Sequence, residues 1–245
     1  MKKNLQTALV AVAFMVFGHN VSAQKEVTYD FNTDLTGVST TENAGTPVVV
    51  MVSGLTDNGV PNDSKVLRQQ KASSLTHQTC VNDLVSIPNA TDYSITWKEY
   101  ITALPNSGSW IKKGFLLRGT GFGTYAPGIK NGYYLMVQNN ASGSVTFMVR
   151  NAADDAVSTL GSSAGIYLDG GTTAMTPLKA YWYRVSVTGN VLKFEYSLDG
   201  KKFTKGYTYT DASNLYPSGG VTQTVCGIGG SYTSHYVDDV KFNAL

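Results

Sequence analysis

Acid–base catalysis in this chain would have to draw on a small set of carboxyl groups. Cleavage of a glycosidic bond requires two of them, one to donate a proton and one to act as nucleophile or base. The chain has four glutamates, namely Glu26, Glu42, Glu99 and Glu195. None has an aspartate two residues later, and no two lie close enough in sequence to form one motif. An enzyme would need distant acids to converge, for example Asp154 or Asp155 with Asp169.

Two glycine-containing stretches have the spacing of catalytic or phosphate-binding loops. Residues 161–165 fit G-x-S-x-G, but a nucleophilic serine on that motif needs a helix directly after it,. The residues that follow, 166–171, predict no helix. Glycines 119, 121 and 123 likewise lack the helix whose N-terminus would bind an anion,. We therefore predict that both stretches are flexible turns.

Aromatic side chains outside the predicted strands are better candidates for ligand binding. The flat C–H face of a sugar ring stacks on an aromatic ring, and amide side chains pair with sugar hydroxyls. The aromatics in predicted loops are Trp110, Tyr125, Tyr216 and Tyr232, and the candidate amides are Asn131, Asn139 and Asn140. For each aromatic taken singly, packing against the edge of the domain is the alternative. As a set, they predict a platform for a poly- or oligosaccharide. Trp97, Trp182 and Tyr183 lie on predicted strands and are assigned to packing.

Metal ligands are few. His77 and His235 have no ligand-like companions, which argues against zinc,. Asp238 has the strand parity of Val240 and Phe242, so it is predicted to point inward, where a carboxylate needs a cation or hydrogen-bond donors,. Together with Asp30 on the first strand, it could hold a structural Ca²⁺. The alternative is an aspartate that accepts backbone N–H bonds at a strand end.

The first 23 residues are predicted to be a cleaved signal peptide. Lys2 and Lys3 form a basic start, Leu5–Phe17 is mostly apolar, and Val21–Ala23 is a small-residue cleavage pattern,. The apolar run is too short to span about 30 Å of hydrocarbon. The mature domain would be residues 24–245, exported to the periplasm, the cell surface or the medium and not inserted in a membrane.

The mature chain is nearly neutral. Removal of Lys2 and Lys3 from 19 basic residues balances the remainder against 17 acidic ones. Nucleic acids and anionic membranes both need basic patches, so neither is an expected partner. The two cysteines, Cys80 and Cys226, permit one disulfide in an exported protein,. It would contribute about 4–5 kcal/mol in the chain-entropy model; two separate buried thiols are the alternative.

The strongest structural signal is a three-strand meander at Tyr181–Phe203, with turns at Gly189-Asn190 and Asp199-Gly200,. The first turn sets the pairs Val187–Leu192, Val185–Phe194 and Tyr183–Tyr196 on one face, and Arg184–Glu195 on the other,. The second turn is predicted to place Phe203 opposite Tyr196. Alternating segments recur along the chain without helical periodicity. About a dozen short strands predict an all-β, two-sheet antiparallel β-sandwich.

Several segments resemble the concanavalin A-like superfamily of jelly rolls, which includes laminin-G-like domains and carbohydrate-binding modules. They are Tyr29–Asn32, Asn62–Leu67, Lys113–Arg118, Trp182–Gly200 and Val237–Phe242. The resemblance implies a concanavalin-like jelly roll, a fold that hosts lectins, glycan-binding modules, glycoside hydrolases and polysaccharide lyases. The Glu-x-Asp-x-x-Glu strand of the hydrolases is absent from this sequence, as are the Arg-rich strand and Gln-x-His motif of the lyases. The signal ending in Ala23 before Gln24 is similar to those of exported Bacteroides-type proteins.

These observations predict a non-catalytic, exported glycan-binding module that needs no cofactor apart from the calcium considered above. Two alternatives stay open at this point. One is a glycoside hydrolase or polysaccharide lyase with an atypical site. The other is a structural or adhesive surface protein whose sandwich packs against other chains.

Overall fold

The computed structural model describes residues 26–29, 39–41, 48–51, 53–69, 77–82, 91–108, 110–122, 129–153, 156–218, 221–229 and 235–245. These ranges contain seventeen strands and no helix. None of the described segments therefore forms a helix with the length and apolarity needed to cross a membrane. The predicted signal peptide lies outside these ranges, as do Asp30, Tyr125, Asp154, Asp155 and Tyr232.

The strands follow one another along the whole described chain. In order they are β1 (Glu26–Tyr29), β2 (Ser39–Thr41), β3 (Val48–Met51), β4 (Thr56–Asp57), β5 (Val60–Pro61), β6 (Lys65–Gln69), β7 (His77–Asn82), β8 (Tyr93–Ile101), β9 (Trp110–Phe122), β10 (Ile129–Asn140), β11 (Val145–Ala153), β12 (Ala156–Ser162), β13 (Tyr181–Thr188), β14 (Val191–Ser197), β15 (Thr204–Thr210), β16 (Val221–Gly229) and β17 (His235–Ala244). All strand pairings among them are antiparallel, which confirms the predicted fold class.

Two large sheets form the sandwich. The larger sheet has the order β15-β14-β13-β8-β17-β6-β3, with β1 also paired to β17. The smaller sheet has the order β12-β11-β10-β9-β16-β7-β2. Their inner faces meet through aromatic contacts: Trp97 on β8 packs edge-on against Phe115 on β9, with ring centroids 4.9 Å apart. Phe147 on β11 packs against Phe194 on β14 at 5.2 Å.

The register of the β13–β14 hairpin is confirmed residue by residue. Val187 pairs with Leu192, Val185 with Phe194 and Tyr183 with Tyr196. All six side chains are buried in the core, because alternate residues of each strand face the opposite sheet,. On the other face Arg184 Nε donates to Glu195 Oε2 at 2.7 Å.

The prediction for Phe203 is wrong. Thr204, not Phe203, pairs with Tyr196, and the loop between β14 and β15 is longer than two residues. Asp199 Oδ1 accepts hydrogen bonds from the N–H groups of Lys201 and Lys202, which holds this wider turn. Phe203 therefore lies on the polar face, with the Arg184 guanidinium 4.2 Å from its ring centroid.

The predictions for the two glycine-containing stretches are confirmed in part and corrected in part. Residues 166–171 form no helix, as predicted, but Gly161 and Ser162 end strand β12 rather than lying in a turn. Gly119 and Gly121 belong to β9, which corrects their assignment to a turn. The two cysteines lie on neighbouring strands, with Cys80 opposite Val225 and Cys226 opposite Thr79. They are thus close in the sheet but not directly opposite, and the disulfide stays a prediction.

Arg118 forms hydrogen bonds with three loops at one end of the sandwich. It is 1% exposed and adopts a left-handed backbone conformation with φ 51° at a register shift between β9 and β10. Its guanidinium donates to the carbonyl oxygens of Thr91, Gly189 and Tyr216 at 2.6–3.1 Å. Nη2 also lies 3.1 Å from Asp92 Oδ1. One buried cation thus satisfies polar groups from three separate loops.

Replacement of Arg118 by alanine should lower the free energy of unfolding by about 3 kcal/mol or more, since it leaves these acceptors without donors. Urea unfolding followed by tryptophan fluorescence measures this change. Arg184→Ala is the control, because Arg184 is 34% exposed and its pair with Glu195, at the protein surface, should contribute no more than about 1 kcal/mol,. Equal losses in the two variants would contradict the role assigned to Arg118.

Candidate functional site

A short hairpin, β4–β5, covers part of the outer face of the larger sheet. Its turn residues Asn58 and Gly59 have φ values of 52° and 81°, the left-handed pair that a two-residue hairpin turn requires,. The hairpin is also joined to the segment before β13, since Thr56 N–H donates to the Leu178 carbonyl and Ala180 N–H donates to the Thr56 carbonyl. Sequence analysis did not predict this hairpin, although the Asn58-Gly59 dipeptide is a signal for one,.

A small second core lies beneath the hairpin. Leu55 and Val66 pack there with Tyr100, Ala180 and Tyr236, on the side of the sheet away from the main core. The half-buried Trp182 joins this cluster, in line with its assignment to packing. The outer face of β8 is therefore covered as well as its inner face.

Lys98 anchors the hairpin to the sheet. Its Nζ lies 3.0 Å from Asp57 in the hairpin, and 2.9 Å from both Asp238 and Asp239 on β17. The neighbouring Tyr100 hydroxyl donates to Asp57 Oδ1 and accepts from Asn62 Nδ2. We call these six residues the Lys98 cluster.

Burial and charge oppose each other in this cluster. Burial by itself lowers the pKa of Lys98, but the attraction of Asp238 and the bonds to all three aspartates outweigh it, so the pKa is raised,. Burial raises the pKa of Asp238, against the opposing effect of Lys98. Burial and the bond to Asp57 raise the pKa of Tyr100, which stays neutral. At neutral pH Lys98 is a charged ammonium ion held among carboxylates.

The predicted orientation of Asp238 is wrong. A register shift between β17 and β8 follows Asp238, which pairs with Lys98, and Asp239 takes a φ of 48°. The extra residue reverses the parity, so Asp238 lies on the outer face while Val240 and Phe242 face the main core,. Asp238 is nevertheless 2% exposed, and Lys98 supplies the cation that its burial requires.

No group of three or more His, Cys, Asp or Glu side chains in the described ranges is placed to hold a metal ion. Asp30, the second proposed calcium ligand, lies outside them. Besides Lys98, Asp238 receives hydrogen bonds from the Ser64 hydroxyl and the Asp239 N–H. The calcium ion stays a prediction.

An open groove of about 530 Å³ runs between the hairpin and the β14–β15 turn. We call it the end groove; it is lined by Thr56, Asn58, Gly59, Thr176, Pro177, Lys179, Leu198 and Asp199. Asn58 Nδ2 donates to the Asp199 carbonyl at 3.4 Å, which links its two walls. A smaller hollow adjoins it through the shared residues Thr176, Lys179 and Leu198, and contains Asp169 and Tyr181.

Asp199 is an ionised carboxylate at one wall of this groove. The N–H groups of Lys202 and Lys201 and the Ser197 hydroxyl lower the pKa of its carboxyl to about 2. All three hydrogen bonds end on Oδ1, which leaves Oδ2 available to a ligand. The pKa of Asp169 is lowered too, through bonds from Thr173 and Gly171. Asn58, an exposed amide, faces the same groove.

The binding residues predicted from sequence lie elsewhere or outside the described side chains. Trp110 begins β9, opposite Asn140, and its side chain is not described. Asn131 pairs with Ala153 and Thr120 and is half-buried. Tyr216 is half-buried, packs edge-on against Tyr133 at 4.9 Å and donates to Asn151 Oδ1. The structure does not test the predicted platform of loop aromatics.

The suggestion that the Asn139 amide pairs with sugar hydroxyls is wrong, because Asn139 is 0% exposed and lies between the two sheets. Asn140 is half-buried, and its amide donates to the Ser144 and Thr146 hydroxyls. Trp97 and Tyr183 are core residues, as predicted. Sequence reasoning missed Lys98, and it treated Asp199 only as a turn residue.

Comparison with known proteins identifies the fold. The Emp47p carbohydrate recognition domain is similar at TM-score 0.52 and 13% identity, over 93% of this chain and 99% of that one. The legume lectin-like domain from Entamoeba histolytica is similar at TM-score 0.52 and 11% identity, over 89% and 97%. The CBM2 module of the evolved Dit of Lactobacillus casei BL23 phage J-1 is similar at TM-score 0.51 and 10% identity, over 91% and 98%. At these identities the likeness shows the lectin-type jelly-roll fold alone.

Other comparisons add nothing on activity. The chain spans 33% of the length of the GH43 protein BlXynB from Bacillus licheniformis, at TM-score 0.43 and 17% identity. That similarity is too weak to support an argument about glycoside hydrolysis. No family model matches the sequence, and no curated protein matches it.

Lys98→Met should lower the free energy of unfolding by about 3–5 kcal/mol, because Asp238 would be left buried without a cation,. Lys193→Met is the matched control, since Lys193 is 43% exposed and its ammonium keeps contact with solvent while it pairs with Glu195,. The double variant Lys98→Met/Asp238→Asn should regain part of the loss. Urea unfolding measures all three, and a single variant as stable as the control would contradict the anchoring role.

The Asp199 turn should be sensitive to acid. Its folded pKa lies below the ordinary value of 3.8, so the ionised carboxylate stabilises the fold above pH 4, and this contribution disappears as the pH falls toward 2,. Asp199→Asn should therefore reduce the Tm at pH 7 and converge with the wild type near pH 2. A constant difference in Tm across that interval would contradict the assignment.

Proposed function

We propose that this chain is an exported, non-catalytic carbohydrate-binding domain that takes a poly- or oligosaccharide in the end groove. The proposal assigns export to the segment 1–23, which has the pattern of a signal peptide,. The aromatic platform predicted from sequence is a second location for the same function. Substitutions in the groove and in the platform distinguish the two locations.

The observation that carries the proposal is the set of polar groups around the end groove. The Asp199 carboxylate accepts hydrogen bonds, the Asn58 amide both donates and accepts, and the Lys179 ammonium donates,. Neighbouring hydroxyls of a sugar need this mixture of donors and acceptors. Pro177 and Leu198 supply the apolar surface against which a sugar ring can lie. A volume of about 530 Å³ falls in the usual range for small-ligand sites,.

The rigidity of the groove supports binding. The Lys98 cluster holds one wall through Asp57, and the hydrogen bonds to Asp199 Oδ1 hold the other. Because these side chains are fixed before a ligand arrives, little conformational entropy is lost on binding. The fold likeness also supports the proposal, since the Emp47p domain is a carbohydrate recognition domain and the Entamoeba histolytica domain is legume lectin-like.

The charge state of the groove favours binding over hydrolysis. A glycosidase needs one carboxylic acid that keeps its proton near neutral pH, which requires a raised pKa. The two carboxyl groups that line the groove and the adjoining hollow, Asp199 and Asp169, both have lowered pKa values. They are ionised at neutral pH and suited to accept hydrogen bonds.

Screening of the purified protein on a glycan array should identify a polysaccharide or oligosaccharide ligand, and titration then gives its affinity. Asp199→Ala and Asn58→Ala should each weaken binding about tenfold or more, which corresponds to about 1.4 kcal/mol. Asp63→Ala is the control, because Asp63 is exposed and does not line the groove.

Absence of binding to any glycan would contradict the proposed function. Loss of binding in Trp110→Ala or Tyr125→Ala, with Asp199→Ala unchanged, would instead move the site to the aromatic platform and contradict the end groove. An equal loss in Asp63→Ala would show that the effect is not specific to the groove.

A further inference from the structure

Three polar side chains meet in the main core between the two sheets. Glu99 projects from β8 in the larger sheet, while Lys113 and Asn139 project from β9 and β10 in the smaller one. Their exposed fractions are 0%, 3% and 0%. They occupy alternate positions next to apolar core residues such as Trp97, Phe115 and Val137. Burial of an ammonium, a carboxylate and an amide costs free energy unless the groups are paired and fully hydrogen-bonded.

Both nitrogen atoms of this group contact the same carboxylate oxygen. Lys113 Nζ forms an ion pair with Glu99 Oε1. Asn139 Nδ2 donates to that oxygen at 3.4 Å. Lys113 pairs with Val137 and Asn139 with Ile111, so the two residues are diagonal neighbours on one sheet face, whose Cα atoms typically lie about 7–8 Å apart,. A lysine side chain is long enough to span that separation.

The hydrogen bonding of the group is incomplete. Glu99 Oε2 and Asn139 Oδ1 are buried and have no hydrogen-bond partner among the described residues. The Tyr183 ring lies 5.2 Å from Lys113 Nζ and closes off one side. An ion pair kept only for stability usually has its remaining polar atoms satisfied. A carboxylate that contacts an amine and a primary amide in a dry site is instead placed to transfer protons between them.

We propose that Lys113 and Asn139 condense to form an intramolecular isopeptide bond, with Glu99 as the general acid–base catalyst. Glu99 removes a proton from the Lys113 ammonium, and the neutral amine attacks Cγ of Asn139. A bond forms between Nζ and Cγ, and the bond between Cγ and Nδ2 breaks. Glu99 then gives this proton to Nδ2, which leaves as ammonia, and accepts the remaining proton of the attacking nitrogen, so that Glu99 ends protonated. No oxidant, reductant or cofactor is required.

Asn139, rather than Glu99, is the acceptor of the new bond. Direct condensation of Lys113 with Glu99 would need an oxygen of an ionised carboxylate to leave, and no second acid lies beside it in the described core. An amide carbon with a protonated leaving nitrogen is the better electrophile. The product also removes the buried ammonium charge and leaves a neutral amide beside a neutral Glu99. It joins the neighbouring strands β9 and β10 covalently.

Tryptic peptide mapping by mass spectrometry of the purified mature protein, residues 24–245, tests the proposal. Cleavage after Lys112, Arg118, Lys130 and Arg150 should release a branched peptide in which 113–118 is linked to 131–150. Its mass should be the sum of the two peptides less about 17 Da, the mass of ammonia. Intact mass alone is insufficient, because cyclisation of an N-terminal Gln24 also releases ammonia. Fragmentation spectra must therefore assign the link to Lys113 and Asn139.

Adjacent residues of the same type provide matched controls. Lys113→Arg, Asn139→Ala and Glu99→Gln should each abolish the branched peptide, whereas Lys112→Arg and Asn140→Ala should retain it. Circular dichroism establishes which variants fold, and the peptide map of the wild-type protein decides for or against the bond even where a variant does not fold. Recovery of residues 131–150 as an unlinked peptide of full mass from the wild type would overturn the proposal. A link between Lys113 and Glu99, with loss of about 18 Da as water, would also overturn it.

Discussion

The structure depends on one constraint: strand β8 is covered on both faces. Its inner face packs against the smaller sheet through Trp97, and its outer face lies beneath the β4–β5 hairpin through Tyr100. Lys98 and Glu99 are consecutive and point to opposite sides, so neither charge reaches solvent. Each must find a partner inside the protein, because an isolated buried charge would cost several kcal/mol.

The two charges are compensated in different ways, and each has a consequence for function. On the outer face, Lys98 gathers three aspartates, and through Asp57 it fixes the hairpin that forms one wall of the end groove. On the inner face, Glu99 contacts an amine and an amide that come from the facing sheet. The same strand thus supports one wall of the proposed binding groove on one side and the proposed reactive group on the other. The proposed binding site and the proposed isopeptide bond do not depend on each other.

Predictions from the sequence were correct where the interactions that decide the structure act between residues close in the chain. The β13–β14 register was predictable because one two-residue turn and strict alternation determine it within the segment Tyr181–Ser197,. Phe203 was misplaced because Asp199 binds the N–H groups of Lys201 and Lys202 and widens the second turn. Asp238 was assigned to the wrong face because one extra residue at the register shift reverses the parity of everything before it,. The end groove was missed because its walls are about 140 residues apart in sequence, as the Asn58–Asp199 bond shows,.

Local patterns in the amino-acid sequence were sufficient to predict the all-β class and the register and inner face of the β13–β14 hairpin. These features follow from alternation and turn chemistry, which act between residues close in the chain. The folded chain was needed to show which strands neighbour one another, where Lys98 and Glu99 find their counter-charges, and which loops form the groove. Those outcomes depend on contacts between distant segments. The sequence around a carboxylate or an amine does not indicate which distant residue will pair with it.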